Sequence, residues 1–589
     1  MYQPRGGAYT TTTVNLMALP HRTRRSFESD DTHTVTLPDG QRAHADHAAQ
    51  SRVLERSFYE VRPGVWCLVG NGLSNQTFIE APEGIIAIDT GESVQEMQEA
   101  LRELRAHTGQ PVVAVLYTHF HYVNGTQAVV EASEAESVPI YGHERIPMNR
   151  SRAGAEIAPT YGRGLVEQFA VLLPPDGPDG VVNVGLGHFY RNPTHAPFSP
   201  GYLPPTHGFS TAHTIMVAGM EVEVTPAPSD ADDSVTYWFP SIGVAVNNLV
   251  WPTLFNVFAI RGEEYRDPQV MLAGLDHLLS LGASYLVGTH GPPISGAESI
   301  LARVTRYRDS IQFLWDQTVR LTNKGFTSTE LAQAIRLPDG YDEDHLTSER
   351  YGVAEHHVRQ IRTGLFGFFD GDEANLFPLA TAERAGRLIE GFGGRDEVRR
   401  QVEQALVASD LRWALELGSW LVRSDAAELP DQLLLAEALR RVGQRSSAAN
   451  IRSWCLTRAR HLEGTVNMDR LYTHRFRRAQ TLAGPIAASV HALRVVLDPL
   501  AAEGLDVHLG WRFSSGETAG LHVRNGIACP TEGANATIWM ECSAETWADL
   551  LAGSTALSEA IGDGSLLVEG DALALSVTLA CFEVEGLRT

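Results

Sequence analysis

His119 and His121 are separated by a single residue in the stretch Tyr117-Thr118-His119-Phe120-His121-Tyr122-Val123-Asn124-Gly125. The run before them (Val112, Val113, Ala114, Val115, Leu116) reads as a buried strand. Side chains of an extended chain repeat every second residue, so the two imidazoles fall on one side of it. Two neutral imidazoles placed together can bind one metal ion. The competing reading is a pair of core or solvated histidines, and the strand-end position favours ligation.

The elements around this loop follow from periodicity. Gly84-Ile85-Ile86-Ala87-Ile88-Asp89 predicts a strand ending at Asp89-Thr90-Gly91. Val94, Met97, Leu101 and Leu104 then recur at helical spacing, which makes a β-α-β unit with the strand before the histidines. Residues 158–210 are rich in Gly, Pro, His and Tyr and predict long loops over a site. Strands are expected again at Ile215–Val224, Ser234–Phe239, Ile242–Val246 and Ser284–Val287. After residue 297 the pattern turns helical, and from about residue 478 strand and helix signals mix. No clean 34-residue repeat is present in the helical stretch.

With 589 residues the chain should hold several domains, because single cores stop growing near about 250–300 residues. The expected division is an N-terminal arm over 1–55 that packs late or frays, a catalytic domain over 56–345, a helical domain over 346–475 and a small α/β domain over 476–589. A formal net charge of −24 argues against nucleic acid and anionic membrane surfaces as partners. The five cysteines are scattered and include no Cys-x-x-Cys, which suits a reducing compartment. Without a signal-like apolar segment or a membrane-length apolar run, a cytoplasmic protein is expected.

Taken in order, these segments resemble the alkylsulfatase branch of the metallo-β-lactamase superfamily. Leu73-Ser74-Asn75-Gln76-Thr77-Phe78-Ile79-Glu80, Tyr161-Gly162-Arg163-Gly164, Thr253-Leu254-Phe255-Asn256 and Arg261-Gly262 are similar to family positions. So are Gly367-Phe368-Phe369-Asp370-Gly371 with Asn375-Leu376, and Ile561 to Asp571. The resemblance implies an α/β chain: an αββα metallo-β-lactamase-fold sandwich, then an all-α dimerisation domain, then a small α/β sterol-carrier-type domain. It also implies two zinc ions that activate water and hold a sulfate ester.

Carried over residue by residue, the resemblance gives His119, His121 and Asp230 as metal ligands, with Asp232 or Asp233 as alternatives to Asp230. His290 in Gly288-Thr289-His290-Gly291 matches a late histidine ligand and could serve the metal or proton transfer. Asp89 would brace the metal loop. The family pattern His-x-His-x-Asp-His is only half kept, since Val123 and Asn124 stand at its last two positions. A bridging carboxylate is replaced by Asn247 or Asn248. One divalent ion per subunit, zinc or iron, is therefore expected.

Arg261 and Tyr161 are candidates for catalysis or anion binding, and Tyr122, Asn248 and Arg261 for substrate contact. Among the many loop histidines (His143, His188, His195, His207, His213) a replacement ligand could hide, although each reads first as a surface residue. Three functions remain open: a mononuclear hydrolase of a small amphiphilic sulfate ester, a mononuclear iron oxidoreductase, and a non-catalytic dimer partner. A small-molecule substrate and a homodimer are expected in the first two.

Overall fold

Two twisted β-sheets lie face to face in the first half of the chain. The computed structural model describes residues 26–588 except 134–136, 155 and 483. The first sheet has seven strands in chain order: Ser57–Arg62, Val65–Val69, Gln76–Ala81, Gly84–Ile88, Val112–Leu116, Ile140–His143 and His207–Phe209. Its first four strands are antiparallel and the remainder parallel. The second sheet runs His213–Val217, Met220–Pro226, Val235–Phe239, Val244–Asn247, Tyr285–Gly288 and Ile294–Ser295.

Alternation decides which side chains meet between the sheets. Val65, Cys67, Ile86, Ile88, Ala114 and Leu116 point inward against Val222, Val224, Val235, Tyr237 and Val246. The alternate residues Trp66, Leu68, Ile85, Ala87 and Val115 point outward. They are covered by the helices Val94–Leu104 and Thr126–Ala132, which supply Met97, Leu101, Leu104 and Val129. On the far side Pro268–Ser280 and the 26-residue helix Ala297–Thr322 cover the second sheet with Met271, Leu275, Ile300 and Val304. This is the expected αββα sandwich.

Several expectations change. The segment 215–224 is a hairpin, turning at Ala218 and Gly219, both at positive φ (51° and 76°). Two such residues make the tight turn whose twist matches its strands. Residues 158–210 are not loop throughout, because Ala158–Gln168 is helical. Its Gly162 and Gly164 hide the helical pattern in the sequence. Gly164 is required by packing: a Cβ there would lie 2.1 Å from the Arg261 carbonyl oxygen.

The arm also departs from expectation where it is described. Residues 26–55 form a short hairpin and the helix Ala45–Val53, and they are anchored rather than frayed. Arg452 Nη1 donates to the Arg42 carbonyl, Ser446 Oγ to the Ser26 carbonyl, and Asn183 Nδ2 to the His47 carbonyl. Residues 1–25 of the arm lie outside the described residues.

The helices Thr381–Gly391, Arg395–Val407, Leu411–Arg423, Leu429–Arg445 and Ala449–Leu462 share a core built on Val398, Val402, Leu406, Leu417, Leu421, Leu435 and Leu439. The segment before them, Phe366 to Leu379, turns apolar side chains to solvent, with Phe368 80% and Phe377 89% exposed. The last part holds a five-stranded sheet ordered Ile527–Thr531, Thr518–Arg524, Asp506–Phe513, Ile538–Cys542, Leu566–Glu569. One face of it packs Leu509, Trp511 and Leu521 against Trp547, Leu550 and Leu575 from two helices.

Candidate metal centre

The two imidazoles sit where the chain leaves the strand Val112–Leu116 at one edge of the sandwich. His119 is the last extended residue before a single helical turn, Phe120–Tyr122. That turn swings the second imidazole back toward the first, and the ring centroids lie 4.9 Å apart. Asp230 comes from the connection between the strands Met220–Pro226 and Val235–Phe239 of the other sheet. Its Oδ1 lies 3.8 Å from His119 Nε2 and its Oδ2 lies 3.2 Å from His121 Nδ1. All three ligand atoms fall within 4.8 Å of one another.

A chain of hydrogen bonds fixes which nitrogen of His119 faces the site. Asp89, held at φ 57° just past its strand, accepts the Thr118 N–H at 2.8 Å and the Thr118 hydroxyl at 2.6 Å. The hydroxyl has one proton and gives it to Asp89, so toward His119 Nδ1 (2.9 Å) it can only accept. Nδ1 therefore carries the ring proton, and Nε2 presents its lone pair toward Asp230. Nε2 is buried and has no hydrogen-bond partner among the described residues. This bracing role is the one expected of Asp89, whose own carboxyl burial lifts to about 7.

His121 is arranged the other way round. Its Nε2 meets the Tyr161 hydroxyl at 3.2 Å, which leaves Nδ1 facing Asp230. Tyr161 is carried by the helix Ala158–Gln168, and the Arg261 guanidinium lies over its ring, 5.1 Å from the centroid.

Of the three neighbouring aspartates only Asp230 meets the histidines. Asp233 accepts from the Phe120 N–H (3.4 Å) and from Asn149 Nδ2 (3.0 Å). Asp232 pairs with Arg145 at 2.5 Å and also accepts from Asn149. The same geometry separates the two asparagines. Asn248 Nδ2 donates to Asp230 Oδ1 at 2.5 Å, whereas Asn247 Oδ1 accepts the Leu249 and Val250 N–H groups and caps the backbone. Asn248 thus orients the carboxylate rather than facing an open substrate space.

His290 does not join this group. Its Nδ1 lies 2.8 Å from the Leu73 carbonyl, which can only accept, so Nδ1 carries the proton. Nε2 is left to accept from the Tyr122 hydroxyl at 3.4 Å. The Tyr122 ring meets His119 edge-on at 5.1 Å and His290 edge-on at 5.3 Å. The expectation that His290 shares the ion is not matched by its placement, because the clustered ligand atoms are those of His119, His121 and Asp230, and His290 stands outside that group. Val123 is fully buried within the apolar cluster under the outer helices.

Electrostatics at the site are set by burial and by the facing of imidazole and carboxylate. Burial drives His119 down to about 3 against the pull of Asp230, and drives His290 down to about 4. Burial would lift Asp230, but the facing His119 and His121 hold it well below the usual carboxylate range. The oxygen–nitrogen donor set, the short separations and the unpartnered His119 Nε2 fit a divalent zinc- or iron-class cation.

Four contributors were not found from the sequence. Glu263 pairs with Arg261 Nη1 at 2.5 Å and stands 3.9 Å from His121 Nε2. Arg266 is buried, donates to the Asn256 carbonyl (2.6 Å) and lies near the Trp251 and Phe255 rings. Trp251 stands 5.4 Å edge-on from His290 and donates to the Asn248 carbonyl. Gln168 links the site wall to the helical region, since its Oε1 accepts the Arg261 N–H (3.2 Å) and its Nε2 donates to the Tyr351 hydroxyl (2.8 Å). Only Glu263 had a visible signal, its place beside Arg261-Gly262. Of the loop histidines, none stands with the candidate triad among the described residues, and His195 is turned to Asn71 instead.

Comparison with known proteins matches three stretches of the chain. Residues 69–201 match the metallo-β-lactamase superfamily, 327–465 the alkyl sulfatase dimerisation family and 483–585 the alkyl sulfatase C-terminal family. A linear primary-alkylsulfatase of Pseudomonas sp. (strain ATCC 19151) is 34% identical over 527 residues, covering 86% of this chain and 98% of that protein. An (R)-specific secondary-alkylsulfatase of Pseudomonas sp. is 27% identical over 87% of this chain and 79% of its own length. The solved structure of the stereoselective inverting sec-alkylsulfatase Pisa1 from Pseudomonas sp. superposes with a TM-score of 0.82 at 25% identity, covering 92% of this chain and 87% of that one. The chain belongs to the alkylsulfatase family of the metallo-β-lactamase superfamily.

Proposed function

We propose that this protein is a mononuclear metal-dependent hydrolase acting on a sulfate ester or a related small amphiphilic molecule. The observation that carries the one-ion reading is that His119, His121 and Asp230 each bring a ligand atom within 4.8 Å of the others while His290 stands outside the group. By family resemblance a second ion would need ligands at positions 123 and 124 and at His290. Val123 offers none, and both nitrogens of His290 are engaged by Leu73 and Tyr122. His119 Nε2, His121 Nδ1 and an Asp230 oxygen would hold the single ion.

Bound there, a divalent cation would supply a water of near-neutral pKa and a Lewis acid for an ester oxygen. The chain's own residues supply the rest. Asn248 and Thr118 hold the carboxylate and the imidazole in the orientations described above. Arg261 has five N–H donors, so its contact with Glu263 leaves others for an anionic group. Tyr122 and His290 offer a route for a proton, from the phenol oxygen to His290 Nε2.

A second reading is an iron oxidoreductase on the same scaffold. Two histidines and one carboxylate are also the donor set with which mononuclear iron enzymes bind O2 and substrate together. The apolar segment from Phe366 to Leu379 supports a homodimer, since contiguous exposed aromatic surface marks an association site. Among the described residues no helix is long and apolar enough to cross a membrane.

The test is metal content of purified wild type against Asp230→Asn, with alkyl-sulfate turnover measured with and without O2. Loss of one equivalent in the variant, together with O2-independent sulfate release, supports the hydrolase. Loss of two equivalents would sink the one-ion reading. Turnover that needs O2 and follows bound iron would establish the oxidoreductase.

A further inference from the structure

A second constellation of metal-ligating side chains lies far along the chain, on the open face of the C-terminal sheet. His508, in the strand Asp506–Phe513, is directly opposite His522, in the strand Thr518–Arg524. Directly opposed residues of an antiparallel pair put their side chains on the same face. The two rings stack at a centroid distance of 3.6 Å and an interplanar angle of 20°. Asp506, two residues before His508 and therefore on the same face, accepts from His522 Nε2 at 2.6 Å. One ligand atom from each of the three lies within 4.8 Å of the others.

A fourth donor completes the row. His522 is in register with Cys529 on the next strand, Ile527–Thr531, so His508, His522 and Cys529 form a line across three strands on one face. Cys529 is half-buried, while Cys67, Cys455, Cys542 and Cys581 are buried. The opposite face of the sheet is occupied by the core residues Leu509, Leu521 and Trp511, so packing does not require polar residues on this side. Arg524, opposite Asp506, is the one cation in register with the row.

We propose that Asp506, His508, His522 and Cys529 form a zinc-class cation site distinct from the sandwich-edge centre. Two imidazole nitrogens, a carboxylate oxygen and a thiolate make a tetrahedral set that zinc takes readily. Zinc–ligand bonds of 2.0–2.3 Å bring ligand atoms to roughly 3.4 Å from one another, so the three clustered side chains must turn toward the ion and Cys529, the next residue in the row, must turn in to join them. Binding displaces Asp506 from His522 Nε2 onto the ion and releases the Cys529 thiol proton to solvent. The site pins three neighbouring strands together from the side opposite their core.

Cys529 itself reports on the site. The full-length, metal-stripped protein is treated with iodoacetamide with and without added Zn2+, and alkylation of the Cys529 peptide is followed by mass spectrometry. A thiol held by the ion reacts slowly, so labelling should fall about 10-fold or more with zinc. Protection should disappear in His508→Ala/His522→Ala and in the more conservative His522→Gln, and persist in Asp230→Asn. Equal metal-free labelling of wild type and variants verifies that the strand is intact. Labelling unchanged by zinc in wild type, or protection that survives loss of both histidines, overturns the proposal.

Discussion

The Tyr122 hydroxyl lies 3.4 Å from His290 Nε2, while its ring meets His119 edge-on at 5.1 Å. One side chain thus contacts both the imidazole that faces Asp230 and the imidazole that does not. Removing only the hydroxyl keeps the ring contact and cuts the link to His290. Tyr122→Phe should lower kcat for an alkyl sulfate by about 100–10,000-fold, the range for a positioned proton donor, with KM and active-site metal content little changed. Steady-state kinetics beside metal analysis would check it, and an unchanged kcat would take Tyr122 out of the chemistry.

Asn248 is predicted to act through Asp230. Asn248→Ala leaves the carboxylate without its 2.5 Å donor. Metal affinity should then fall about 10–100-fold, the usual cost of losing a hydrogen bond that orients a ligand. A competition titration with a chromogenic chelator measures this directly. Asn247→Ala should instead lower thermal stability, because its amide caps Leu249 and Val250.

Arg261 should show itself in substrate affinity. Arg261→Gln removes a charge-assisted contact to an anion worth about 1.5–3 kcal/mol, hence a KM roughly 10–100-fold higher. Glu263→Gln frees the guanidinium of its partner and should move KM the other way. Initial-rate curves over a range of alkyl-sulfate concentrations would separate the two effects.

A pH response follows from two buried carboxyls beside the site. Burial and mutual repulsion hold Glu92 well above its usual value, and burial lifts Glu96 to about 7. Both bind protons more tightly folded than unfolded. Their contribution to stability is therefore complete below the unfolded value near pH 4.5 and is lost as pH rises through about 7. Denaturant midpoints should fall between pH 5 and pH 8. Glu92→Gln should flatten that decline, and a variant with the wild-type slope would locate the effect elsewhere.

Association should depend on the exposed aromatic segment. Phe368→Ser/Phe377→Ser removes two side chains that are 80% and 89% exposed and therefore contribute little within one chain. Sedimentation velocity should show the wild-type dimer and a monomeric variant with an unchanged melting profile. A wild-type monomer at micromolar concentration would refute the homodimer.

Much of the sandwich was legible because its elements carry their own periodicity. The run Gly84–Ile88 and the spacing of Met97, Leu101 and Leu104 are local signals, and the His119–His121 pair at a strand end follows from them. The helix carrying Tyr161 was not legible, since Gly162 and Gly164 are poor helix formers retained for the approach of the Arg261 backbone. The hairpin within 213–226 was hidden because Ala218 does not advertise a positive φ. His290 shows the limit of residue-by-residue transfer. Its type and loop matched a ligand position, but its function is set by what stands beside it, and the Tyr122 ring is a property of the folded chain. Arg266, Trp251 and Tyr351 reach the site through packing over long sequence distances, which no local pattern encodes.

The Gln168 amide, clasped between the Arg261 backbone and the Tyr351 phenol, makes the catalytic half and the helical half a single mechanical body. A cut near residue 345, where the character of the sequence suggests a clean seam, would leave that amide holding only one side. The fragment would keep both sheets and the His119–His121–Asp230 cluster while losing the brace behind Arg261. Minimal versions of this enzyme should therefore be sought by trimming from the C-terminal sheet inward, not by isolating the sandwich.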